Sequence, residues 1–271
     1  MYNKFEQTCI FWGEFMKITV LGSSHGDPTV NANTTSVLLQ TGSKNYLIDA
    51  GEHCSRALML NGITPSFINA VIITHMHIDH TAGLPHLLHQ ARKYRWDAPE
   101  LVPVCLLPDA AALAGLKAWN DVNGARFTAD GTLYKHYQSG EAFNDGNIVI
   151  NAYPTDHLKH ITNREANSFA LKVQAGNKTV FFSGDVSDVA HDFSDFPVEA
   201  ADGCDLLFAE ITHFDPLKAL EVWKKLRIGK MVFYHNGNPW QTPEGQAEIL
   251  EMCKVLPYEV EFCCDNKQYS L

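Results

Sequence analysis

The sequence predicts an α/β fold in which two mixed β-sheets lie face to face between outer layers of helices. Short β-branched runs follow one another in each half of the chain, and helix-like segments are inserted later in each half. A doubly wound parallel sheet would instead require strands and helices to alternate regularly. The order of the runs therefore favours a four-layer sandwich, α/β/β/α, although periodicity alone leaves the layer order open.

The first half contains strand-like runs that are bounded by glycine and proline turns. They cover residues 17–21, 36–40, 46–49 and 70–74. Helix-like segments follow at residues 54–60, 84–95 and 108–119. Pro108 suits the first turn of the last of these helices, where the missing N–H has no partner to lose.

The second half repeats this arrangement. Its strand-like runs cover residues 148–153, 168–174, 179–183, 206–210, 231–234 and 259–263. Its helix-like segments cover residues 216–226 and 243–255. No low-complexity segment, charge block or proline-rich linker marks a domain boundary, so we expect one domain over residues 16–271. Residues 1–15 are expected to be a leader or an N-terminal extension, because a strand-like run begins at once after Met16.

Composition and charge exclude several classes of protein. The 271 residues are 45% hydrophobic and 19% charged, which is typical of a globular domain. The 31 acidic residues exceed the 21 basic ones, and the net charge of −10 repels polyanions at long range. No apolar run reaches the roughly 18 residues of a membrane span. We therefore expect neither a membrane protein nor a general nucleic-acid coat.

Cysteine usage and the N-terminus indicate the compartment. Seven cysteines is an odd count, and none forms a C-x-x-C pair. A disulfide scaffold and a cysteine-based zinc ribbon are therefore disfavoured. The first fifteen residues are too weakly apolar for a secretory signal. The sequence predicts a cytoplasmic protein.

The strongest chemical signal is T-H-M-H-I-D-H-T-A-G at residues 74–83. Four ligand-type side chains fall within six residues, namely His75, His77, Asp79 and His80. Imidazole and carboxylate groups clustered at a strand end suit a borderline divalent ion. The adjacent Asp79 and His80 point away from the His75/His77 pair in most backbone conformations, which favours two metal sites over one. The alternative is a solvated histidine-rich loop, and the buried strand before the motif argues against it.

Three more residues are candidates for the remaining ligands. His157, Asp185 and His235 each stand just after an apolar strand-like run. Loops at strand ends are where scaffolds collect functional groups. Together with the motif, they offer enough ligands for a binuclear centre.

With these residues in place, the chain resembles the metallo-β-lactamase superfamily over residues 16–271, and within it the ribonuclease Z and phosphodiesterase-like branch. The likeness extends to V-L-G-S-S-H-G-D-P-T-V-N-A-N and N-Y-L-I-D-A-G-E near the start and to the closing D-N-K-Q-Y-S-L. It implies an αβ/βα sandwich, the metallo-β-lactamase fold, with the metals in a shallow cleft between its halves. Members of the branch are often homodimers, so a homodimer is an expected assembly.

The resemblance also implies a division of the ligands between two divalent ions. One ion would be held by His75, His77 and His157, and the other by Asp79, His80 and His235. Asp185 would bridge the two. Zinc is the default ion for such ligands, and manganese or iron would tolerate the same set.

Hydrolytic chemistry follows from the implied arrangement. Two neighbouring ions lower the pKa of a bridging water and supply hydroxide at cellular pH. Asp79 would orient this water as well as bind metal. Asp156, beside His157, would either hold that ligand in place or serve only in a turn.

The chain departs from ribonuclease Z in the residues of the proton donor. The family pairs a Glu in an H-E-A-T segment with a His in a later H-S-T segment. Here Glu210 stands at the corresponding Glu, but the H-S-T segment is missing. His213 is our candidate for a substitute general acid, and a surface or core histidine is the alternative.

Two further departures concern the substrate. His157 and Asp185 are 28 positions apart, which leaves no room for the flexible arm of transfer-RNA-processing members. The family's Arg-Asn pair is Ala32-Asn33 here, which removes a phosphate-binding cation. His25 could point into the cleft, although a turn histidine beside glycine is usually exposed. These losses and the negative charge argue against a tRNA substrate.

Other positions near the motifs have ordinary explanations. Arg92, Lys93 and Arg95 complement a helix C-terminus without any ligand. Three aromatic residues flank the suspected site and could line a pocket, although aromatic residues beside strands more often belong to the core. They are Phe214, Tyr234 and Trp240.

The sequence therefore supports a binuclear metallohydrolase of a small-molecule substrate, most simply a phosphodiester such as a cyclic nucleotide or a related metabolite. A second hypothesis is a carboxyl-ester, lactone or thioester hydrolase that uses the same hydroxide. A third is a non-hydrolytic metal-binding protein. Fold alone does not decide among them.

Overall fold

The computed structural model describes residues 16–27, 29–93, 101, 103–122, 132–159, 167–187 and 193–271. Within them lie two seven-stranded sheets. The strands of the first sheet are β1 (Met16–Gly22), β2 (Ser36–Thr41), β3 (Lys44–Ile48), β4 (Ala70–Ile72), β5 (Val104–Leu107), β6 (Leu133–His136) and β14 (Gln268–Ser270). The strands of the second sheet are β7 (Gly140–Asn144), β8 (Val149–Pro154), β9 (Phe169–Ala175), β10 (Lys178–Phe182), β11 (Leu206–Ile211), β12 (Lys230–Asn236) and β13 (Glu259–Phe262).

Both sheets are mixed and have the same plan. The first runs β14-β1-β2-β3-β4-β5-β6, antiparallel as far as β3 and parallel beyond it. The second runs β13-β12-β11-β10-β9-β8-β7, parallel from β13 to β10 and antiparallel from β10 to β7. The predicted pair of mixed sheets is therefore confirmed.

Helices form the two outer layers. They are α1 (Cys54–Leu60), α2 (Ile78–Thr81), α3 (Leu84–Lys93), α4 (Ala110–Val122), α5 (Val198–Ala201), α6 (Pro216–Trp223) and α7 (Pro243–Cys253), with short 3-10 helices at Pro65–Phe67 and Asn238–Gln241. None of the described helices has both the length and the apolar character that a membrane crossing needs.

Three apolar cores hold the four layers together. The central core joins the inner faces of the sheets, where Val37 and Leu39 of β2 share a cluster with Val180 and Phe182 of β10. Leu38, between them on β2, points the other way because successive strand side chains alternate. It packs with α1 and α3, and a third core packs α5, α6 and α7 on the outer face of the second sheet.

Element boundaries agree with the sequence prediction to within a few residues. Helix α1 has the predicted bounds, whereas α6 ends three residues early and α7 two residues early. Residues 94 and 95 of the predicted third helix lie outside the described residues, as do residues 1–15. Strands β5, β6 and β7 were not predicted. The exposure of β6 explains its weak pattern, because three of its four residues face solvent.

Candidate metal centre

The histidine-rich motif lies at the carboxyl end of β4, between the two sheets. Buried β4 leads directly to His75 and His77, and the short helix α2 then presents Asp79 and His80. Asp79 and His80 belong to a different group of converging ligand atoms from His75 and His77, although the ring centroids of His75 and His80 are only 4.1 Å apart. The predicted division of these four residues between two metal ions stays a prediction.

The second sheet supplies the other candidates from its own strand ends. His157 follows β8, Asp185 follows β10, and His235 lies near the end of β12. His235 has a left-handed backbone with φ of 50°. It is an extra residue in the pairing, since Tyr234 pairs with Glu210 and Asn236 with Ile211. A bulge of this kind re-aims a side chain that would otherwise follow the strand alternation.

Gly184 explains how Asp185 reaches the centre. Its φ is +56°, and a Cβ atom there would lie 2.5 Å from the carbonyl oxygen of Phe169. Only glycine accepts both the left-handed conformation and the close approach of β9. The chain can therefore turn sharply after β10 and direct the Asp185 carboxylate inward.

The ligand-type atoms converge in two groups in which all atoms lie within 4.8 Å of one another. The first group contains His75, His77, His157 and Asp185, and the second contains Asp79, His80 and His235. Asp185 lies between the groups, because its Oδ2 is 3.5 Å from Nε2 of His75 and its Oδ1 is 3.4 Å from Nε2 of His80.

Three buried atoms of this cluster have no hydrogen-bond partner. They are Nε2 of His75, Nε2 of His80 and Oδ1 of Asp185. Buried polar atoms are normally satisfied, and orphans call for an explanation such as an ion. The donor set of imidazoles and carboxylates is also one that zinc prefers. The residues present therefore fit divalent metal ions.

The carboxylates are held in the ionised state that metal binding requires. Burial would raise the pKa of Asp79. The hydrogen bond with Nε2 of His235, at 3.2 Å, and the charges of His80 and His235 together outweigh burial and lower the pKa to about 2. Burial also opposes ionisation of Asp185. The surrounding histidines, His235 and His80 foremost, nevertheless hold its pKa well below the usual value.

Hydrogen bonds to the Nδ1 atoms orient three of the histidines. Asp49 accepts from Nδ1 of His80 at 2.8 Å, and Nδ1 of His157 donates to the carbonyl of Ser187 at 3.0 Å. Nδ1 of His235 lies 3.1 Å from Oγ1 of Thr212. Such contacts fix the tautomer and leave Nε2 for a metal. Sequence reasoning missed Asp49, although it follows the apolar β3 in the same way as the selected residues follow their strands.

Glu210 and His213 are brought together as the sequence suggested. Nδ1 of His213 lies 3.0 Å from both carboxylate oxygens of Glu210 and 3.7 Å from Oδ2 of Asp185. Burial alone would lower the pKa of His213, but these two carboxylates raise it to about 9. Its side chain is 26% exposed, so the ring is neither core nor freely solvated. The atoms of His213, Asp185 and His235 also lie within 4.8 Å of one another.

His25 differs from the expected exposed turn residue. It is only 8% exposed, and its ring centroid lies 6.3 Å from that of His235. Nδ1 accepts the N–H of Asp27, and Nε2 lies 3.0 Å from Oδ1 of Asn238. Of the two alternatives for His25, exposure is excluded, because these contacts tie the turn after β1 to the 3-10 helix Asn238–Gln241.

The other singled-out residues have structural roles. Phe214 and Tyr234 are buried in apolar cores, and Trp240 is partly buried against one. Asn33 holds its loop by donating to the carbonyl of Leu21. Asp156 forms an exposed ion pair with Lys159.

The basic cluster is only partly covered by the structure. Arg92 and Lys93 end helix α3, and Arg95 lies outside the described residues. For the two that are described, the position agrees with the helix-dipole explanation.

The sequence between residues 16 and 254 matches a family described as Anti-Pycsar protein Apyc1. The chain belongs to this family. The match begins at β1 and ends just after α7, so it includes every residue of the two ligand groups.

Ribonuclease Z proteins also resemble the chain. That of Methanothermobacter thermautotrophicus is 38% identical over 73 residues, which cover 27% of this chain and 24% of that protein. That of Mycobacterium bovis is 26% identical over 180 residues, or 63% of this chain and 62% of that protein. The chain thus spans about a quarter of the first relative and less than two thirds of the second. The predicted likeness to the ribonuclease Z branch is confirmed.

Solved structures share the fold at low sequence identity. The metallo-β-lactamase fold protein YhfI from Bacillus subtilis superposes with a TM-score of 0.72 at 19% identity, covering 95% of this chain and all of that one. The short form of human tRNase Z has a TM-score of 0.68 at 20% identity, with 93% and 98% covered. A diphosphatase from the PhnP family has a TM-score of 0.68 at 18% identity, with 94% and 97% covered. The metallo-β-lactamase fold is therefore confirmed.

Proposed function

We propose that this protein is a binuclear metal-dependent phosphodiesterase that acts on a small-molecule phosphodiester. One observation carries the proposal. Seven ligand-type side chains from both sheets converge in two adjoining groups, and three of their buried atoms have no partner. Isolated buried charges are costly, so such a cluster is best explained by the cations that would compensate it.

The ligand set supports a division between two ions. His75, His77 and His157 would hold the first, Asp79, His80 and His235 the second, and Asp185 would bridge them. Zinc suits these donors, and manganese or iron would tolerate them. Two such ions, when bound, lower the pKa of a water between them and polarise the oxygen of a substrate.

The chain's own residues would position the reactants. Asp79 lies between His235 and His80, with its Oδ2 3.2 Å and 3.5 Å from their Nε2 atoms. It is 9% exposed, so its carboxylate can accept a hydrogen bond from an attacking water and orient it.

His213 would donate the proton that the leaving group needs. Glu210 accepts a hydrogen bond from Nδ1 of His213, and it also accepts the backbone N–H of Val186 at 2.7 Å. Because Nδ1 of His213 is engaged by Glu210, the proton would be donated from Nε2 of His213. A phosphodiester with an alkoxide leaving group needs such a donor, whereas a thioester expels a thiolate that needs none. The donor therefore supports the phosphodiester proposal over the thioester alternative.

Several features support a small substrate over tRNA. The net charge is −10, and Ala32 stands where ribonuclease Z has the Arg of its Arg-Asn pair. Cyclic nucleotides and related small diesters are the substrates to test first. A cytoplasmic location and a homodimer stay predictions.

The test is a parallel hydrolysis screen of the protein reloaded with zinc or manganese. It includes a chromogenic phosphodiester, a phosphomonoester, a carboxyl ester and a lactone. Diester turnover that is lost in His75→Ala but kept in His136→Ala, an exposed histidine on β6, would support the proposal.

Other outcomes would contradict it. Turnover of the ester or lactone alone would favour carboxyl chemistry at the same site. Two bound metals with no turnover of any substrate, cyclic nucleotides included, would favour the non-hydrolytic alternative.

A further inference from the structure

Asp195 connects the two loops that deliver His157 and Asp185. Its Oδ2 accepts the backbone N–H of Asp156 at 2.7 Å. Both of its carboxylate oxygens also accept the N–H of Ser187, at 2.8 Å and 2.9 Å. The carboxylate thus binds one backbone group immediately before His157 and another two residues after Asp185.

Ser187 completes the connection. Its carbonyl accepts the Nδ1 hydrogen of His157 at 3.0 Å, which directs Nε2 towards the centre. That Nε2 lies 3.1 Å from Nδ1 of His77 and 3.5 Å from Oδ2 of Asp185. The position of the Ser187 peptide therefore sets the direction of the His157 ring.

The backbone of Ser187 requires support to keep this position. Its φ is +63°, in the left-handed region that a residue with a Cβ atom seldom occupies. Such conformations persist only where surrounding contacts over-determine them. The charge-assisted hydrogen bonds that the Asp195 carboxylate accepts from the backbone are contacts of this kind.

We propose that Asp195 is a positioning residue for the ion held by His75, His77 and His157. It acts through the backbone of Ser187 and Asp156 and touches neither the metal nor the substrate. The inference rests on the proposed metal centre, but it does not depend on which bond the enzyme hydrolyses.

Asp195→Asn is a sharp test because the two side chains have the same shape. An asparagine keeps one acceptor oxygen, whereas its amide group would face a backbone N–H donor. In the wild type, the Ser187 N–H contacts both carboxylate oxygens. In the variant it would keep one acceptor oxygen and face the side-chain NH₂ group in place of the other. Asp195 is partly exposed, so the substitution leaves the apolar core unchanged.

Asp205→Asn is the matched control. Its Oδ2 accepts the backbone N–H of Thr179 at 2.8 Å, and its side chain is 32% exposed. It lies immediately before β11, at the strand end opposite Glu210. Loss of this contact should lower stability without reaching the ligands.

The measurement is zinc binding by competition with a chromogenic chelator, together with the zinc stoichiometry and the Tm of the zinc-free protein. We expect Asp195→Asn to lower the affinity for one of the two zinc ions by about tenfold. This is the lower end of the loss that follows when a residue that orients a metal ligand is changed. Asp205→Asn should bind both ions like the wild type. Faster amide exchange in zinc-free Asp195→Asn, in peptides covering residues 155–158 and 185–187, would add independent support.

Two results would overturn the proposal. One is wild-type affinity for both ions in Asp195→Asn with only a lowered Tm, which would make Asp195 a structural residue like Asp205. The other is a wild-type protein that binds no zinc or manganese, which would remove the metal centre itself. A wild type that binds two ions but hydrolyses no diester would refute the proposed function and leave this inference standing.

Discussion

Asp49 and His80 form a fully buried pair, with 2.8 Å between Oδ2 of the carboxylate and Nδ1 of the ring. The same carboxylate accepts the backbone N–H of Thr74 at 2.7 Å. Asp49 has a left-handed backbone, with φ of 58°, at the point where β3 ends. One acid thus holds both the start of the histidine motif and its last ligand-type residue.

Asp49→Asn should weaken metal binding by about 10- to 100-fold, as is typical when a partner of a metal-binding histidine is changed. The amide offers an N–H where Nδ1–H needs an acceptor, so the ring loses its fixed tautomer. Chelator competition measures the effect. Asp145→Asn is the control, because that acid accepts backbone N–H groups in the β7–β8 turn, far along β8 from His157. Equal affinity in the two variants would contradict the role of Asp49.

His213→Gln should slow diester hydrolysis by about 10²- to 10⁴-fold, the usual contribution of a general acid. The loss should be large for an alkyl leaving group and small for a nitrophenyl one, because only the alkoxide needs protonation. Comparison of kcat for the two substrates measures this difference. An equal loss on both would instead indicate a role in binding metal or orienting the phosphate.

Gly184→Ala should both destabilise the protein and reduce metal binding. The left-handed backbone alone costs a residue with a Cβ atom about 1–2 kcal/mol. Gly176→Ala isolates this contribution, because Gly176 has the same φ of +56° but nothing within 4 Å of its added Cβ atom. We expect Gly184→Ala to have the lower Tm of the two, since its Cβ atom also approaches Phe169. Indistinguishable Tm values and zinc contents would show that the close approach has no consequence.

Metal binding should stabilise the fold, and the stabilisation should rise with the logarithm of the free metal-ion concentration. Binding to the folded state alone adds about 2.7 kcal/mol when the free ion is 100-fold above its Kd. Thermal scans with EDTA and with increasing zinc measure the change in Tm. His80→Ala should reduce the shift, and His136→Ala should not. A Tm that does not depend on zinc in the wild type would contradict metal binding by the folded protein.

The sequence predicted the sheets and the ligand candidates because both depend on local patterns. His157, Asp185 and His235 were recognisable since each follows a run of apolar residues that had to be a strand. Their convergence with the histidine motif is a long-range property, and the pairing of the candidates relied on the family resemblance. The fold and the likeness are confirmed, whereas the role of each site residue stays a prediction.

Other features had no local signature. In the sequence, Asp195 is an ordinary acidic residue of a turn. Its hydrogen bonds to Asp156 and Ser187 depend on the folding of two loops that are distant in sequence. His25 was expected to be exposed because its neighbour is a glycine, and contacts with the loop after β12 bury it. Strand β5 is a short apolar run without alternation, and periodicity alone does not distinguish such a run from a buried helix segment.

The pairing of β14 with β1 has a consequence for biosynthesis. Lys17 opposes Ser270, so the first sheet cannot close this edge until residues 268–270 have left the ribosome. His235, too, is synthesised long after the histidine motif. If the motif binds a metal ion, the nascent motif alone would bind it only loosely, because its partners from the second half have not yet been made. Assembly of the complete group of ligand-type residues is therefore expected only after the second half of the chain has been synthesised.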